Sequence, residues 1–251
     1  MGLKALFLLV VAAVLSNSAF SCDKTLKVGI SQQWAPYTFT QNGKLTGIDI
    51  DVVNLVLKEA GFCAKYVIMP SSKRGFAELK HGKIDLLPAA SYSTERDSFS
   101  FFSEPYRNEV MRLFWYPHGR LESLDLQGLL EHQQVILTNS GSYFGSDFTH
   151  LKEDAKYKDQ LVTVSSLRQR LAMLVARRVD FFVDDELAGL YLIQKNNQQG
   201  IELHPYIVNN DSVYFMLSET TLLEEDRAAI NSAILNNQQA ITEIIARYVK
   251  H

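Results

Sequence analysis

Several chemistries are missing from this sequence. It has no glycine-rich phosphate loop, no C-x-x-C, no H-E-x-x-H and no G-x-S-x-G. The local signatures of nucleotide, thiol-redox, zinc-peptidase and serine-hydrolase chemistry are therefore absent. The six histidines (His81, His118, His132, His150, His204 and His251) have no second ligand at metal spacing. Each reads as a surface or loop residue, and neither a metal nor a cofactor is expected. Basic residues are too few and too dispersed for nucleic acid: 25 Lys and Arg face 28 Asp and Glu, a formal net charge of -3. Cysteine occurs only twice. No apolar run reaches the roughly 20 residues of a membrane-spanning helix. What remains is an ordinary globular composition, 47% hydrophobic and 21% charged over 251 residues. That length suits one large domain or two small ones with a sizeable core.

The first 21 residues stand apart. Lys4 gives a positive start, residues 5–15 are apolar without interruption, and residues 17–21 are small or polar apart from Phe20. This is the pattern of a secretory leader, with Ala19 and Ser21 meeting the small-x-small rule for cleavage before Cys22. An uncleaved anchor is the alternative, but the apolar run is about half the length it needs. Losing Lys4 leaves 24 basic against 28 acidic side chains, a net charge of -4. Export to the periplasm invites a disulfide between Cys22 and Cys63. Cys22 lies just before the first predicted strand and Cys63 just before the second, so parallel pairing of those strands brings the two cysteines within reach. A lipid on Cys22 is the competing use, but Ala19 stands where that signal takes a Leu-like residue.

Period-2 and period-3.6 apolar patterns alternate along the chain. Residues 25–31 read as a strand. Asn42-Gly43 between short extended runs signals a hairpin. A helix follows, capped by Asp49 or Asp51 and ended by Gly61. Residues 64–69 form the next strand, Ser71 or Ser72 starts a helix, and residues 84–87 form a short buried strand. This β-α-β-α-β order predicts a parallel sheet with helices on its faces. The pattern repeats through strands at 135–137, 161–164 and 180–183, a helix capped by Ser165 or Ser166, and a helix over 184–193. Residues 201–208 and 213–217 read as two further strands, and 226–249 as one or two helices. Residues 110–116 read as an extended connection between the two units.

An ordered set of motifs runs through the first unit: Trp34-Ala35-Pro36-Tyr37, Gly43, Gly47-Ile48-Asp49-Ile50-Asp51, Gly82-Lys83-Ile84-Asp85, Ser93-Thr94-Glu95-Arg96 and Phe102-Ser103-Glu104-Pro105-Tyr106. Together they resemble the periplasmic substrate-binding proteins of amino-acid ABC importers, the glutamine-binding type. In the second unit the likeness rests on Ser140-Gly141-Ser142 and on residues 179–185 (V-D-F-F-V-D-D). The resemblance implies an α/β, two-lobed periplasmic binding protein fold of type II, each lobe a parallel-rich sheet flanked by helices. Lobe one would comprise residues 22–113 and 209–251 and lobe two residues 114–208, with hinges near Phe114 and Asn209. It also implies a monomer that closes on a small polar ligand, an amino acid, and presents it to an inner-membrane ABC permease or receptor.

The resemblance gives residues roles. Arg96 matches the arginine that grips the ligand carboxylate, a task suited to a planar guanidinium fork. Ser91 adds a hydroxyl beside it, and Ala89 a carbonyl facing the ammonium. Asp185 matches the acid that pairs with the ammonium; a slip of one residue gives that role to Asp184. Gly141 and Ser142 match donors from the second lobe, Trp34 an aromatic platform, and Tyr37 the rim. On charge alone Arg96 reads as a solvated arginine paired with Glu95 or Asp97, and the two aspartates read as helix caps. The sequence departs from the pattern at 70–74 (P-S-S-K-R), where the glutamine-binding type has an aromatic residue. Arg74 either reaches into the cleft or belongs to a solvated first helical turn. Two other functions stay open: an enzyme of the cyclohexadienyl (arogenate or prephenate) dehydratase kind, with Asp184, Asp185 or Glu186 as its acid, and a ligand-sensing module for a membrane receptor.

Overall fold

In a computed structural model, residues 22, 24–31 and 33–249 are described. The expected leader lies outside the described residues. Strand β1 (Lys24–Ile30) buries Leu26, Val28 and Ile30. Strands β2 (Phe39–Gln41) and β3 (Lys44–Thr46) form the predicted hairpin, with Asn42 and Gly43 both at positive φ (51° and 77°) as its tight turn requires. Helix α1 (Ile48–Glu59) buries Val52, Val53, Val56 and Leu57. Neither Asp49 nor Asp51 caps it. The cap position is Gly47, and the first-turn N–H groups of Ile48 and Asp49 donate to the carbonyls of Pro36 and Tyr37. This backbone supply leaves Asp49 free to turn inward.

Strand β4 (Phe62–Ile68) pairs parallel with β1, and Cys22 and Cys63 are joined by a disulfide with a Cα–Cα distance of 5.5 Å. The Cys22 sulfur is thereby occupied. Helix α2 (Ser72–Lys80) is capped by Ser71, whose hydroxyl accepts from the Arg74 N–H. The next strand, β5, runs Leu86–Ser91 rather than 84–87. Asp85 takes up the edge instead: its carboxylate accepts from the Lys27 N–H and its own N–H donates to the Lys27 carbonyl. The shift puts Ala89 and Ser91 within the strand. Short elements α3 (Thr94–Asp97) and β6 (Ser100–Phe102) lead into the long strand β7 (Arg107–Trp115).

The second unit comprises α4 (Leu126–Glu131), β8 (Ile136–Thr138), α5 (Ser146–Glu153), β9 (Leu161–Thr163), α6 (Leu167–Val175), β10 (Phe181–Asp185) and α7 (Glu186–Lys195). Helices α4 and α5 are not expected from the apolar pattern, being too short for a full period to show. Strand β11 spans Glu202–Ser218 without a break, where two strands were expected. The polar stretch Asn210, Asp211 and Ser212 stays in the ladder opposite Val110, Glu109 and Asn108, and is polar because it faces solvent. Helices α8 (Glu224–Asn236) and α9 (Gln238–Val249) close the chain.

The strands order as β4-β1-β5-β11-β7-β10-β8-β9, with β6 also on β11. Parallel triplets at either end are joined through antiparallel β11 and β7 in the middle. Alternation along β10 sends Phe182 toward α6 and sends Phe181 and Val183 toward α4 and α5, so both faces are covered. His204 is fully buried, not a surface residue. Its ring packs edge-on to Trp115 and Phe181; Nδ1 accepts from the Tyr206 N–H and Nε2 donates to the Leu121 carbonyl.

Gly189 on α7 lies against the Phe114 ring, which stacks on Phe182 at 4.7 Å. A Cβ there would sit 2.1 Å from Phe114 Cζ. Gly189→Ala is expected to cost about 1–3 kcal/mol by overpacking, despite the better helix propensity of alanine. Urea unfolding of the variant checks this.

Candidate functional site

A cavity of about 450 Å³ opens at the carboxyl ends of β1, β4 and β5 and is faced from the other side by residues of β10, α6 and the turn after β8. Strand ends of this kind are where open α/β sheets leave room for a ligand. Helix α3 carries Arg96 into its wall. One guanidinium nitrogen donates to the Ser91 carbonyl at 2.7 Å and another to the Gly141 carbonyl at 3.0 Å, while the group lies over the Phe76 ring at 4.3 Å. Arg96 is 9% exposed, and burial pulls its pKa below the ordinary arginine range. The alternative of a solvated arginine does not hold, because neither Glu95 nor Asp97 hydrogen-bonds it among the described contacts and its fork points into the cavity wall.

Gly141 has φ of 83° and approaches the α2 backbone closely: a Cβ there would lie 3.1 Å from the Lys73 nitrogen. Glycine thus lets the Ser140–Ser142 turn sit against the start of α2 and roof the cavity. Ser142 lines the cavity and accepts from the Asn139 amide at 2.8 Å. Ala89 also lines it, with a φ of 55° that a non-glycine residue seldom adopts. Trp34 lines it from the first unit, and its indole N–H donates to Asp184 at 3.1 Å.

The two aspartates separate. Asp184 lines the cavity and is ion-paired with Arg170, which is itself almost fully buried. Asp185 points to the other face of β10, caps α7 by accepting from the Ala188 N–H, and receives the Tyr37 hydroxyl at 2.7 Å. Burial raises the Asp185 pKa to about 6 against the pull of Arg107. Neither Asp185 nor Tyr37 is part of the cavity wall. Tyr37 is buried against Trp34, with ring centroids 4.4 Å apart. Arg74 also lies elsewhere: its side chain is 62% exposed and pairs with Glu78 one helical turn on, the solvated reading of that position. Glu186 pairs with Arg112 at 2.7 Å, outside the cavity.

Residues 26–251 match the family of bacterial extracellular solute-binding proteins, family 3. The chain belongs to that family. Among curated relatives, the probable histidine-binding protein of Campylobacter jejuni is 37% identical over 93 residues, 36% of this chain and 35% of that one. The chain thus aligns with about a third of that relative's length. The probable amino-acid ABC transporter-binding protein of Haemophilus influenzae is 26% identical over 196 residues, 72% of this chain and 67% of the relative. A mutant of ArgBP from T. maritima has the same fold, with a TM-score of 0.76 at 18% identity over 90% of this chain and 96% of that one. Among the described residues of this family 3 protein no helix is long and apolar enough to cross a membrane.

Three buried acids of this family 3 protein meet the cavity, and the sequence pointed to only one of them. Besides Asp184 there are Asp49 and Glu109. Asp49 accepts from the Tyr106 hydroxyl at 2.7 Å and pairs with Arg107 at 3.3 Å. Glu109, on β7, accepts from the Ser91 hydroxyl at 3.4 Å and has no ion pair among the described residues. Burial raises its pKa to about 8; the charge of Arg107 opposes this, and Asp185, Asp184 and Asp49 add to it. Thr38 Oγ1 and Arg170 Nε, both on cavity residues, have no hydrogen-bond partner among the described residues.

Proposed function

We propose that this protein captures an amino acid in the cavity, between two lobes that close on it, and delivers it to an inner-membrane ABC permease. One observation carries the reading: the buried Arg96 guanidinium in a wall of a cavity with buried carboxylates in the same enclosure. An α-carboxylate fits the fork and an ammonium fits the acids. The names of the Campylobacter and Haemophilus relatives support the ligand class and the transport partner. Export through a cleaved leader and a monomeric state complete the proposal.

We place the lobe crossing nearer Glu109 than Phe114. Met111 and Leu113 pack with Ile136 and Phe181 of the second unit, and β10 pairs with Met111 through Trp115. The return crossing lies near Asn209, where the β11–β7 register shifts. Contacts from both lobes favour the closed state only when ligand adds to them.

The protein is read as a binder without turnover. The three acids of the dehydratase reading are each held by protein partners: Asp184 by Arg170, Asp185 as the α7 cap and Glu186 by Arg112. Glu109 is the cavity acid that reading still has, and product formed from prephenate or arogenate would decide for it.

A thermal-shift panel of the twenty L-amino acids tests the binding reading. A ligand at 100 times its Kd adds about 2.7 kcal/mol. For a chain of this size that is a rise of roughly 5–10 °C in Tm. A panel without any shift overturns it.

A further inference from the structure

We infer that Glu109 is the acceptor for the ligand's α-ammonium, and that the cavity takes amino acids with uncharged side chains. The inference rests on the amino-acid reading above and adds to it the residue and the ligand class.

The charges of the cavity support it. Asp184 is matched by Arg170 and Asp49 by Arg107. Among the described residues that leaves Arg96, whose guanidinium hydrogen-bonds only carbonyls, and Glu109, hydrogen-bonded only to a hydroxyl, with no more than a longer-range attraction between the two. Burying an unmatched charge is costly, so Arg96 favours a ligand that brings an anion, and Glu109, neutral in the empty cavity, becomes a matched carboxylate when the same ligand brings a cation. An amino acid with a neutral side chain does this. Position supports it as well. The Arg96 fork and the Glu109 carboxylate converge on a single residue, donating to the Ser91 carbonyl and accepting from its hydroxyl. Two opposite charges so placed fit a ligand that carries its own charges on neighbouring atoms, as an α-amino acid does. The wall beyond is uncharged, with apolar Met69, Phe76, Leu87 and Met111 beside the amides of Gln33 and Asn139.

Among the described residues the ionisable groups around Glu109 come from several elements. Arg107 shares its strand, and Asp49 comes from α1. Asp184 and Asp185 come from β10, with Arg170 behind Asp184. Arg96 comes from α3, Tyr37 from the turn before β2, and Asp211 from β11 opposite. In the empty cavity burial keeps Glu109 protonated up to about pH 8. An arriving ammonium favours the carboxylate, so binding below pH 8 releases a proton.

The neutral L-amino acid giving the largest thermal shift is the probe, measured by isothermal titration calorimetry in phosphate and in Tris. Proton release approaching one per ligand is expected at pH 6.5, fading by pH 9. Affinity is expected to rise between pH 6 and 8 by up to tenfold per unit. Glu109→Gln is expected to weaken binding 10- to 100-fold at pH 8 and to flatten this dependence. Glu109→Asp is expected to keep the proton release. The corresponding α-hydroxy acid, which lacks the cation, should bind wild type and Glu109→Gln alike. Tight binding without proton release, or Glu109→Gln within twofold of wild type, overturns the inference and leaves the amino-acid reading standing. Stronger binding of lysine or arginine than of every neutral amino acid overturns the side-chain class. Failure of all amino acids to bind overturns both.

Discussion

Arg96→Ala should lower affinity for the bound amino acid by two to three orders of magnitude at pH 7. The guanidinium already holds two carbonyls in fixed directions, so its remaining N–H groups are oriented before the ligand arrives. Charge-assisted hydrogen bonds contribute about 1.5–3 kcal/mol each, and a bidentate carboxylate contact makes two. The low exposure of Arg96 limits screening by solvent, which is what makes surface pairs weak. Arg96→Lys restores the charge but not the fork and should recover less than half of the lost binding free energy. Calorimetry on the purified variants measures this. An alanine variant binding within fivefold of wild type would remove Arg96 from the site.

The second large effect is on stability. The Cys22–Cys63 bridge closes a loop with a sequence separation of 41 and ties the chain just ahead of β1 to β4. Loop-closure entropy for that length predicts about 4 kcal/mol, and measured losses on removing native bridges are about 2–5 kcal/mol. Replacing both cysteines by alanine should therefore lower the urea midpoint by roughly 1–2 M at a slope of about 2 kcal/mol/M. Ligand affinity should change little, because neither cysteine lines the cavity. A midpoint unaffected by the double replacement would show that the bridge does not constrain the unfolded chain.

What could be read from the sequence was local. The Asn42-Gly43 turn, the apolar face of α1 and the serine caps at 71 and 166 each depend on a few neighbouring residues, and each occurs as expected. What was misread depended on distant partners. The polar stretch in β11 resembled a loop because its ladder partner on β7 lies about 100 residues away. Strand β5 began later than the apolar run because Asp85 bonds β1 through its side chain.

The site divides in the same way. Arg96 was marked by the ordered motifs around it. Asp184 and Asp185 could not be told apart, since neighbours on a strand face opposite ways and the phase is set by where the strand sits. Glu109 was missed because R-N-E-V-M-R alternates like a solvated strand. In the fold it is buried near Asp49 of α1 and Asp184 and Asp185 of β10, partners far away in the chain. The available signal was that Arg107 and Glu109, two apart on an extended run, share a face with opposite charges.

The contact from Arg96 to Gly141 joins the two sides of the cleft through a main-chain oxygen. Gly141 itself is held to glycine by its positive φ and its approach to Lys73, but the contact asks nothing of the side chains around it. Mutational drift in the roof can therefore reshape what the pocket selects while the fastening between the jaws survives. In a lineage of such receptors, taste and grip are free to evolve apart.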